Sequence, residues 1–460
     1  MKNILSLFIL VSSLVACSNH NPPDINPPLK FNSASINQNI TESIPYLTWW
    51  KQFNDPKLNQ LLESGLKNNN DVQIAYANLN QAQGQLRQVQ LSWIPFVDIL
   101  AGYTSNPAFG DIGTFYSIWP QYTINLMQLP FLQKQAEYNL ALQQAKISAV
   151  RLTLIGQITS SYLTYLGEQR QLELLKKLQH DLQLMAKIKQ QAFNGGLSSE
   201  QEVELLQAQE EKIVAQQKIV ANNLVSSQNS LRYLLNQNPG TISTKNNFEL
   251  INENMLQPGS LPASVLANRP DLLMAELQVR VAGEGINVSA SNLFPSVQLD
   301  RFMAMQSGNG VLGAPNAPTT MNEAYLDWQI SPSIFGQIEA QQGSYKAATY
   351  NYIKTARQIL RDVDNDFAQT NYLAAHLQAE TKAYTHTQRQ FQLQNNLYSQ
   401  GLIPYLEVIN SQILLDNQAL TINQSKLQYL MAQVKLYQDL AAGYKSQFAE
   451  ESAPNQGVNK

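Results

Sequence analysis

The side chains that most often perform catalysis or bind metals are scarce or poorly spaced in this chain. Its one cysteine, Cys17, allows neither a disulfide framework nor a thiolate metal site. The four histidines lack the i, i+4 spacing with which a helix presents two imidazoles to zinc. No nucleophile, base and orienting group are grouped, and no glycine-rich phosphate loop follows a predicted strand. We therefore expect no enzyme activity, no cofactor and no metal site.

Cys17 has a different chemistry available, because it follows a secretory signal. Lys2 precedes an apolar run, residues 4–11, that suits a signal-peptide core and is too short for a mature membrane-spanning helix. The sequence Leu14–Val15–Ala16–Cys17 resembles a bacterial lipobox, in which the cysteine is lipidated and becomes the first mature residue. Residues 1–16 are thus expected to be a lipoprotein signal peptide, and Cys17 the lipidation site. A signal peptide with an incidental cysteine is the alternative.

The segment after the lipobox is rich in asparagine, proline and serine, and residues 17–48 are predicted to be a lipidated extended tether. By resemblance to lipoproteins, Ser18 in place of an aspartate favours the outer membrane. The net charge is only −3 and no lysine or arginine cluster stands out, which argues against a nucleic-acid partner.

Much of the chain is an internal duplication. Pro95 corresponds to Pro295, an offset of 295 − 95 = 200, and Gly196 corresponds to Gly401, an offset of 401 − 196 = 205. These offsets far exceed the period of a solenoid. The predicted organisation is a first repeat, an equatorial linker, a second repeat and a C-terminal tail, at residues 49–235, 236–263, 264–445 and 446–460.

Each repeat is predicted to contain long coiled-coil helices. Residues 131–192 contain no proline, and their apolar residues recur at gaps of 3, 4 and 7, so this stretch would be on the order of 90 Å long. Helical hairpins are expected to turn at 194–198 and 399–404, where glycines interrupt the pattern. In the last helix Asp416 and Asn423 are the only polar residues of the seam, and either fix the register or serve transport.

Two segments, about 95–127 and 295–330, alternate apolar and polar residues with the period of a β-strand. Each is predicted to be a β-hairpin with one apolar face, on which Arg301 is an exception. Four strands are too few to close a membrane barrel, and lipid does not tolerate open sheet edges. Several copies must therefore share one barrel if these strands enter a membrane; a soluble hairpin layer is the alternative.

A set of motifs occurs in a fixed order within about residues 45–445. They are Trp49–Pro56, Leu58–Leu62, Asn68–Asp71, Asn268–Leu272, Phe294–Ser296, Tyr398–Leu402 and Tyr405–Val408. Their residues and order resemble those of the TolC-like outer membrane factor family, especially its NodT-like efflux lipoprotein branch.

The resemblance implies a mainly α fold with a membrane β-barrel portion. Three identical chains would each contribute four strands to a twelve-stranded barrel in outer-membrane lipid, and their long helices would form a periplasmic α-barrel. Such a lipid-anchored outer-membrane channel would passively conduct drugs or toxic compounds from an inner-membrane pump, through a periplasmic adaptor. Type I protein secretion is the alternative within the fold, and a periplasmic coiled-coil scaffold without a pore is the alternative outside it.

The resemblance also assigns roles to single residues. The family's aperture positions fall on Glu407 and Asn410, and Glu202 is the first-repeat counterpart of Glu407. Three copies of Glu407 near a narrow axis would attract cations, whereas Asn410 replaces an aspartate of many relatives and weakens the expected ring. An ordinary helix start would also favour an acid at these positions. The hairpin tips that would meet the adaptor carry Gly196, Leu197, Gly401 and Leu402.

Overall fold

The computed structural model describes residues 21–23, 48–104, 113–242, 247–253, 269–307, 319–329 and 331–441. The expected signal peptide, Cys17 and the tail 446–460 lie outside the described residues. So do nearly all of the tether and much of the predicted linker 236–263.

Seven helices of more than one turn and four strands make up the described residues. In chain order they are α1 (Pro56–Asn68), α2 (Asn70–Leu91), β1 (Phe96–Thr104), β2 (Gly113–Ile124), α3 (Leu129–Asn194), α4 (Glu200–Leu234), α5 (Pro270–Ser291), β3 (Ser296–Ser307), β4 (Thr319–Asp327), α6 (Ser333–Ser399) and α7 (Tyr405–Ala441). Short 3-10 turns occupy Trp49–Phe53 and Phe248–Leu250. The expected duplicated order of helices around two strand pairs is confirmed. None of these helices combines the length and apolarity needed to cross a membrane.

The chain divides into two compact units, of which the first contains residues 75–146 and 271–356 and therefore the whole sheet. The strands lie in the order β1-β2-β3-β4, and every neighbouring pair is antiparallel. Strands β1 and β4 are consequently open edges.

The register places most of the apolar residues of the four strands on one side of the sheet, whereas Phe96, Leu100, Trp119, Phe302 and Met321 lie on the other. Ile99 lies opposite Ile118, which lies opposite Met303, while Ile124 lies opposite Val297, which lies opposite Leu326. We call this side the apolar face. Its other described members include Val97, Ala101, Tyr103, Tyr116, Pro120, Tyr122, Leu299 and Ala324, and Arg301, Asn322 and Thr320 lie among them.

The strands end sooner than the alternating pattern suggests. Strand β2 ends at Ile124, so Leu126 does not continue it, because the Asn125 side chain accepts hydrogen bonds from the N–H groups of Met127 and Gln128 at 3.1 Å each. This arrangement starts the turn into α3. Strand β4 ends at Asp327, and Trp328 lies just beyond it.

The second unit contains residues 26–74, 147–270 and 357–460. Its core includes Trp49 and Phe53, at the start of the described range 48–104. Trp49 stacks on Tyr437 with ring centroids 5.7 Å apart. Asp55 caps α1 by accepting from the N–H of Lys57 at 2.8 Å, and its other oxygen accepts from the Tyr162 hydroxyl at 2.9 Å. The N-terminal cap of α1 is therefore also a tertiary contact, which positions α1 against α3.

The predicted coiled-coil seams are buried in this unit. Leu178 and Leu182 of α3 form a cluster with Leu206 of α4, and Ile413 and Leu420 of α7 pack against it. Apolar residues at these spacings make one stripe per helix, and in α3 and α7 that stripe is largely buried.

Candidate functional site

The two helical hairpins turn with the same backbone geometry. In the first, the N–H of Gly196 donates to the Phe193 carbonyl at 2.9 Å and that of Leu197 donates to the Ala192 carbonyl at 2.8 Å. Gly196 has φ +75°, and Gly401 in the second hairpin has φ +72°. This pair of bonds is the Schellman ending of a helix, and its left-handed residue favours glycine.

Apolar side chains project from both tips. Leu197 is 86% exposed and Leu402 is 65% exposed. Beside Leu402, the rings of Tyr398 and Tyr405 lie 5.1 Å apart and bracket the turn. Each tip therefore exposes a leucine directly after its left-handed glycine.

Glu202 and Glu407 lie at equivalent helix starts but in different electrostatic surroundings. The Glu202 carboxylate accepts a hydrogen bond from the Ser198 hydroxyl and pairs with Lys189 Nζ at 2.9 Å. The Ser198 hydrogen bond, followed by the Lys189 contacts, lowers the pKa of Glu202. Its negative charge is thus compensated within its own hairpin.

Glu407 is exposed in the first turn of α7, and within the described chain its carboxylate has no recorded hydrogen bond or ion pair. Asn410 is exposed one turn further along. Residues three apart share a helix face, so Glu407 and Asn410 project from one side of α7. The two positions are equivalent in sequence, but of the two carboxylates only that of Glu407 is uncompensated.

The polar seam residues are held inside the helix bundle. Asp416 is 1% exposed, and its Oδ1 lies 2.7 Å from Lys177 Nζ and 2.8 Å from Gln412 Nε2. Asn423 donates to the Gly167 carbonyl at 3.1 Å and to Gln171 Oε1 at 2.9 Å. Both residues of α7 therefore contact α3, which supports the register interpretation over a transport role.

Asp181 adds a second carboxyl group to the Asp416 site. Burial, followed by its hydrogen bond to Asp416, raises the pKa of Asp181 to about 6. One oxygen of each carboxyl group, Oδ2, is buried without a recorded hydrogen bond. The neighbouring Asp416 charge disfavours the charged form of Asp181, so Asp181 holds its proton more tightly than an exposed aspartate.

The sequence analysis missed a related cluster around Asp366. This residue is 2% exposed and forms an ion pair with Lys435. Burial, followed by a hydrogen bond to Asp439, raises the pKa of Asp366 to about 7. Arg269 donates to the Asp439 carbonyl at 2.6 Å. The Asn268–Leu272 motif contains that arginine, but nothing local in the sequence indicates its partners.

The face of the sheet opposite the apolar face is largely polar and acidic. Asp98, Asp300, Glu323 and Asp327 lie on it, and no lysine or arginine does among the described strand residues. Gln121 donates to Asp98 at 3.2 Å and Gln298 donates to Asp327 at 3.3 Å. Across the described ranges no three His, Cys, Asp or Glu side chains are grouped to hold a metal ion.

The family model for the outer membrane efflux protein matches residues 61–237 and 261–442, both halves of the duplication. The chain belongs to the outer membrane efflux protein family. It is 26% identical over 417 residues to the solvent efflux pump outer membrane protein SrpC of Pseudomonas putida, covering 85% of this chain and 86% of SrpC. It is 23% identical to nodulation protein T of Rhizobium leguminosarum bv. trifolii, covering 91% of each chain.

Two solved structures share the fold of this outer membrane efflux protein. The outer-membrane channel OprN matches with a TM-score of 0.75 and 19% identity, covering 92% of this chain and 99% of OprN. The CmeC outer membrane channel of Campylobacter jejuni matches with a TM-score of 0.76 and 18% identity, covering 94% and 96%. The predicted TolC-like fold and the predicted family are therefore both confirmed.

Proposed function

We propose that this outer membrane efflux protein is the exit duct of a tripartite efflux system and is a channel, not an enzyme. It passively conducts small toxic compounds or drugs that an inner-membrane pump delivers through a periplasmic adaptor. The observation that carries the proposal is the four-stranded sheet. It has one mainly apolar, exposed face, an opposite face that carries all of its acidic residues, and two open edges.

These three properties of the sheet fit one assembly. An exposed apolar face suits lipid, a polar face suits a water-filled interior, and lipid does not tolerate the open edges of β1 and β4. Three copies joined edge to edge make a closed barrel of twelve strands. A soluble hairpin layer would instead leave Ile99, Tyr116 and Leu326 facing water, which disfavours the scaffold alternative.

The hairpin tips are the proposed periplasmic end of the duct. Leu197 and Leu402, positioned by Gly196 and Gly401, are the proposed adaptor contacts. Glu407 is the proposed cation-attracting residue of the aperture, with Asn410 beside it as a neutral position. Glu202 is proposed to contribute less, because Lys189 already compensates its charge.

Single-channel recording tests the proposal. Purified trimers in planar bilayers should give a discrete conductance, and the barrel should change mobility on heating in SDS. A chain that assembles into no trimer and conducts no ions would overturn the proposal. Unchanged mobility on heating together with no conductance is the behaviour expected of a scaffold.

A further inference from the structure

Arg301 is out of place on the apolar face. It is the single charged residue on that face among the described strand residues, and its side chain is exposed. On one side it lies opposite Asn322 of β4. On its other side, the pairing of β3 with β2 puts Arg301 opposite Pro120, and a proline has no N–H to donate.

The height of Arg301 on the sheet follows from the register. Trp328 follows the helix-side end of β4, and Tyr116 and Tyr103 lie toward the opposite end. Aromatic residues mark the two interfaces of a membrane barrel, whose apolar band is about 25 Å tall. A tilted strand gains about 2.5 Å of height per residue, so Arg301 lies about 10 Å below the level of Tyr116. Tyr103 is level with Ser307 of β3, 307 − 301 = 6 residues above Arg301, and Trp328 is level with Pro295, 301 − 295 = 6 residues below it. Arg301 therefore lies near the middle of the band.

Within the described chain, the Arg301 guanidinium has no recorded hydrogen bond or ion pair. Asp300 precedes Arg301 in sequence, and Glu323 follows its register partner Asn322. Both acids lie on the opposite face of the sheet. A neighbouring copy paired along β4 would present the apolar face of its own β1, which carries Val97, Ile99 and Tyr103 and no acid. The described strand residues on the apolar face therefore include no carboxylate to pair with Arg301. The apolar face of β1 in a neighbouring copy includes none either.

Polar residues lead from Arg301 toward the outer interface. Asn322 lies beside it, and Thr320 lies two residues farther along β4 on the same face. A long basic side chain in lipid extends its charged end toward the nearer interface. Thr320 lies on the side of Arg301 that is away from the helices, and Asn322 is level with Arg301. A guanidinium extended in that direction would form, with the amide and the hydroxyl, a polar notch on the lipid side of β3 and β4.

We propose that the polar notch of Arg301, Asn322 and Thr320 binds a phosphate group of a phosphorylated glycolipid in the outer leaflet. The assignment rests on the proposed function, since it needs the apolar face to contact lipid with the helices on the periplasmic side. A guanidinium binds phosphate through two parallel N–H donors, and the amide and hydroxyl can complete the set. A phosphate at this point supplies a negative charge that no described strand residue on the apolar face provides.

Native mass spectrometry of the full-length trimer in a neutral detergent tests the notch. The probes are diphosphoryl lipid A, its dephosphorylated form, dioleoylphosphatidylglycerol and inorganic phosphate. Wild type should bind diphosphoryl lipid A about tenfold more tightly than the dephosphorylated form, the value of one charge-assisted hydrogen bond. Arg301→Gln should lose this preference, and Arg301→Lys should keep part of it.

Arg357→Gln is the matched control, because Arg357 is an exposed arginine on α6 outside the sheet. It should keep the full preference. The proposal is overturned if Arg301→Gln retains the preference or if Arg357→Gln loses it. Equal binding of phosphatidylglycerol, or displacement by inorganic phosphate at the same concentration, also overturns the glycolipid assignment.

Conductance separates this inference from the proposed function. Arg301→Gln should form trimers with wild-type conductance, since the side chain lies on the opposite face from the channel. If wild type conducts but shows no preference for the phosphorylated lipid, the phosphate-binding proposal is wrong and the proposed channel function is unaffected. If wild type neither assembles nor conducts, the proposed function fails first.

Discussion

Lys177 of α3 forms an ion pair with Asp416 of α7, with Nζ 2.7 Å from Oδ1, although 239 positions separate the two residues in sequence. The two partners are buried very unequally, because the Asp416 side chain is 2% exposed and that of Lys177 is 52% exposed. A buried charge depends on its partner, whereas an exposed charge can be solvated by water. The contact is therefore asymmetric, and its two residues should respond differently to substitution.

Lys177→Met should destabilise the helix bundle around Asp416, because it leaves a buried carboxylate without its cation. We expect the free energy of local opening to fall by about 2–4 kcal/mol at pH 8. Hydrogen exchange of α7 peptides that contain residue 416 measures this loss. Lys176→Met, which alters an exposed lysine one residue earlier, is the control and should change the exchange little. Equal effects of the two substitutions would contradict the prediction.

Asp366 should make the stability of the second unit depend on pH. Burial raises its pKa from 3.8 to about 7, so between these values the folded chain holds a proton that the unfolded chain has released. Stability contributed by this group is thus fully present below about pH 4 and is lost as the pH rises through about 7. Thermal unfolding of wild type and Asp366→Asn from pH 4 to 8 measures it. The asparagine variant should show a shallower decline, and parallel curves would refute the assignment.

Glu407 should control ion selectivity more than Glu202 does. Glu407→Gln removes an uncompensated carboxylate, so the ratio of cation to anion permeability should fall, whereas Glu202→Gln removes a charge that Lys189 already offsets. Asn410→Asp should raise the ratio by adding a carboxylate beside Glu407. Reversal potentials in a salt gradient give the ratio for each variant. An unchanged ratio in Glu407→Gln would place the selectivity elsewhere in the channel.

Gly196 should be essential to its hairpin turn, and its neighbour Gly195 should not be. Alanine at φ +75° costs about 1–2 kcal/mol, so Gly196→Ala should speed amide exchange at the tip about 5- to 30-fold. A Cβ at Gly195 would make only ordinary contacts of 3.6 Å with backbone oxygens. Gly195→Ala should leave tip exchange near the wild-type rate, and matching rates in both variants would argue against strain at Gly196.

Cys17→Ala should impair sorting or assembly more than conductance. A lipid anchor and a barrel are redundant means of holding the protein in the membrane once the trimer has inserted. Fractionation measures the amount in the outer membrane, and bilayer recording measures the trimers that form. A variant that inserts normally but has no pore would contradict this expectation.

The sequence by itself determined the parts of this protein that depend on local structure. Repeating gaps of 3 and 4 predict the long helices, a period of two predicts the strands, and the glycines at 196 and 401 mark turns, because each signal reflects geometry within a few residues. The duplication and the family motifs were also readable, and through them the TolC-like fold. The alternating pattern predicted the strand ends less well, because it included Leu126 and Trp328, which lie beyond the ends of β2 and β4.

The tertiary structure alone decided which distant side chains meet. Asp181 and Asp416 lie 416 − 181 = 235 residues apart, and nothing near Asp181 in the sequence indicates that burial beside Asp416 raises its pKa. The difference between Glu202 and Glu407 likewise depends on Lys189, which pairs with Glu202 across the first hairpin, from α3 to α4. Such contacts are set by how one helix is aligned along another, and alignment depends on the packing of the whole seam rather than on any local pattern.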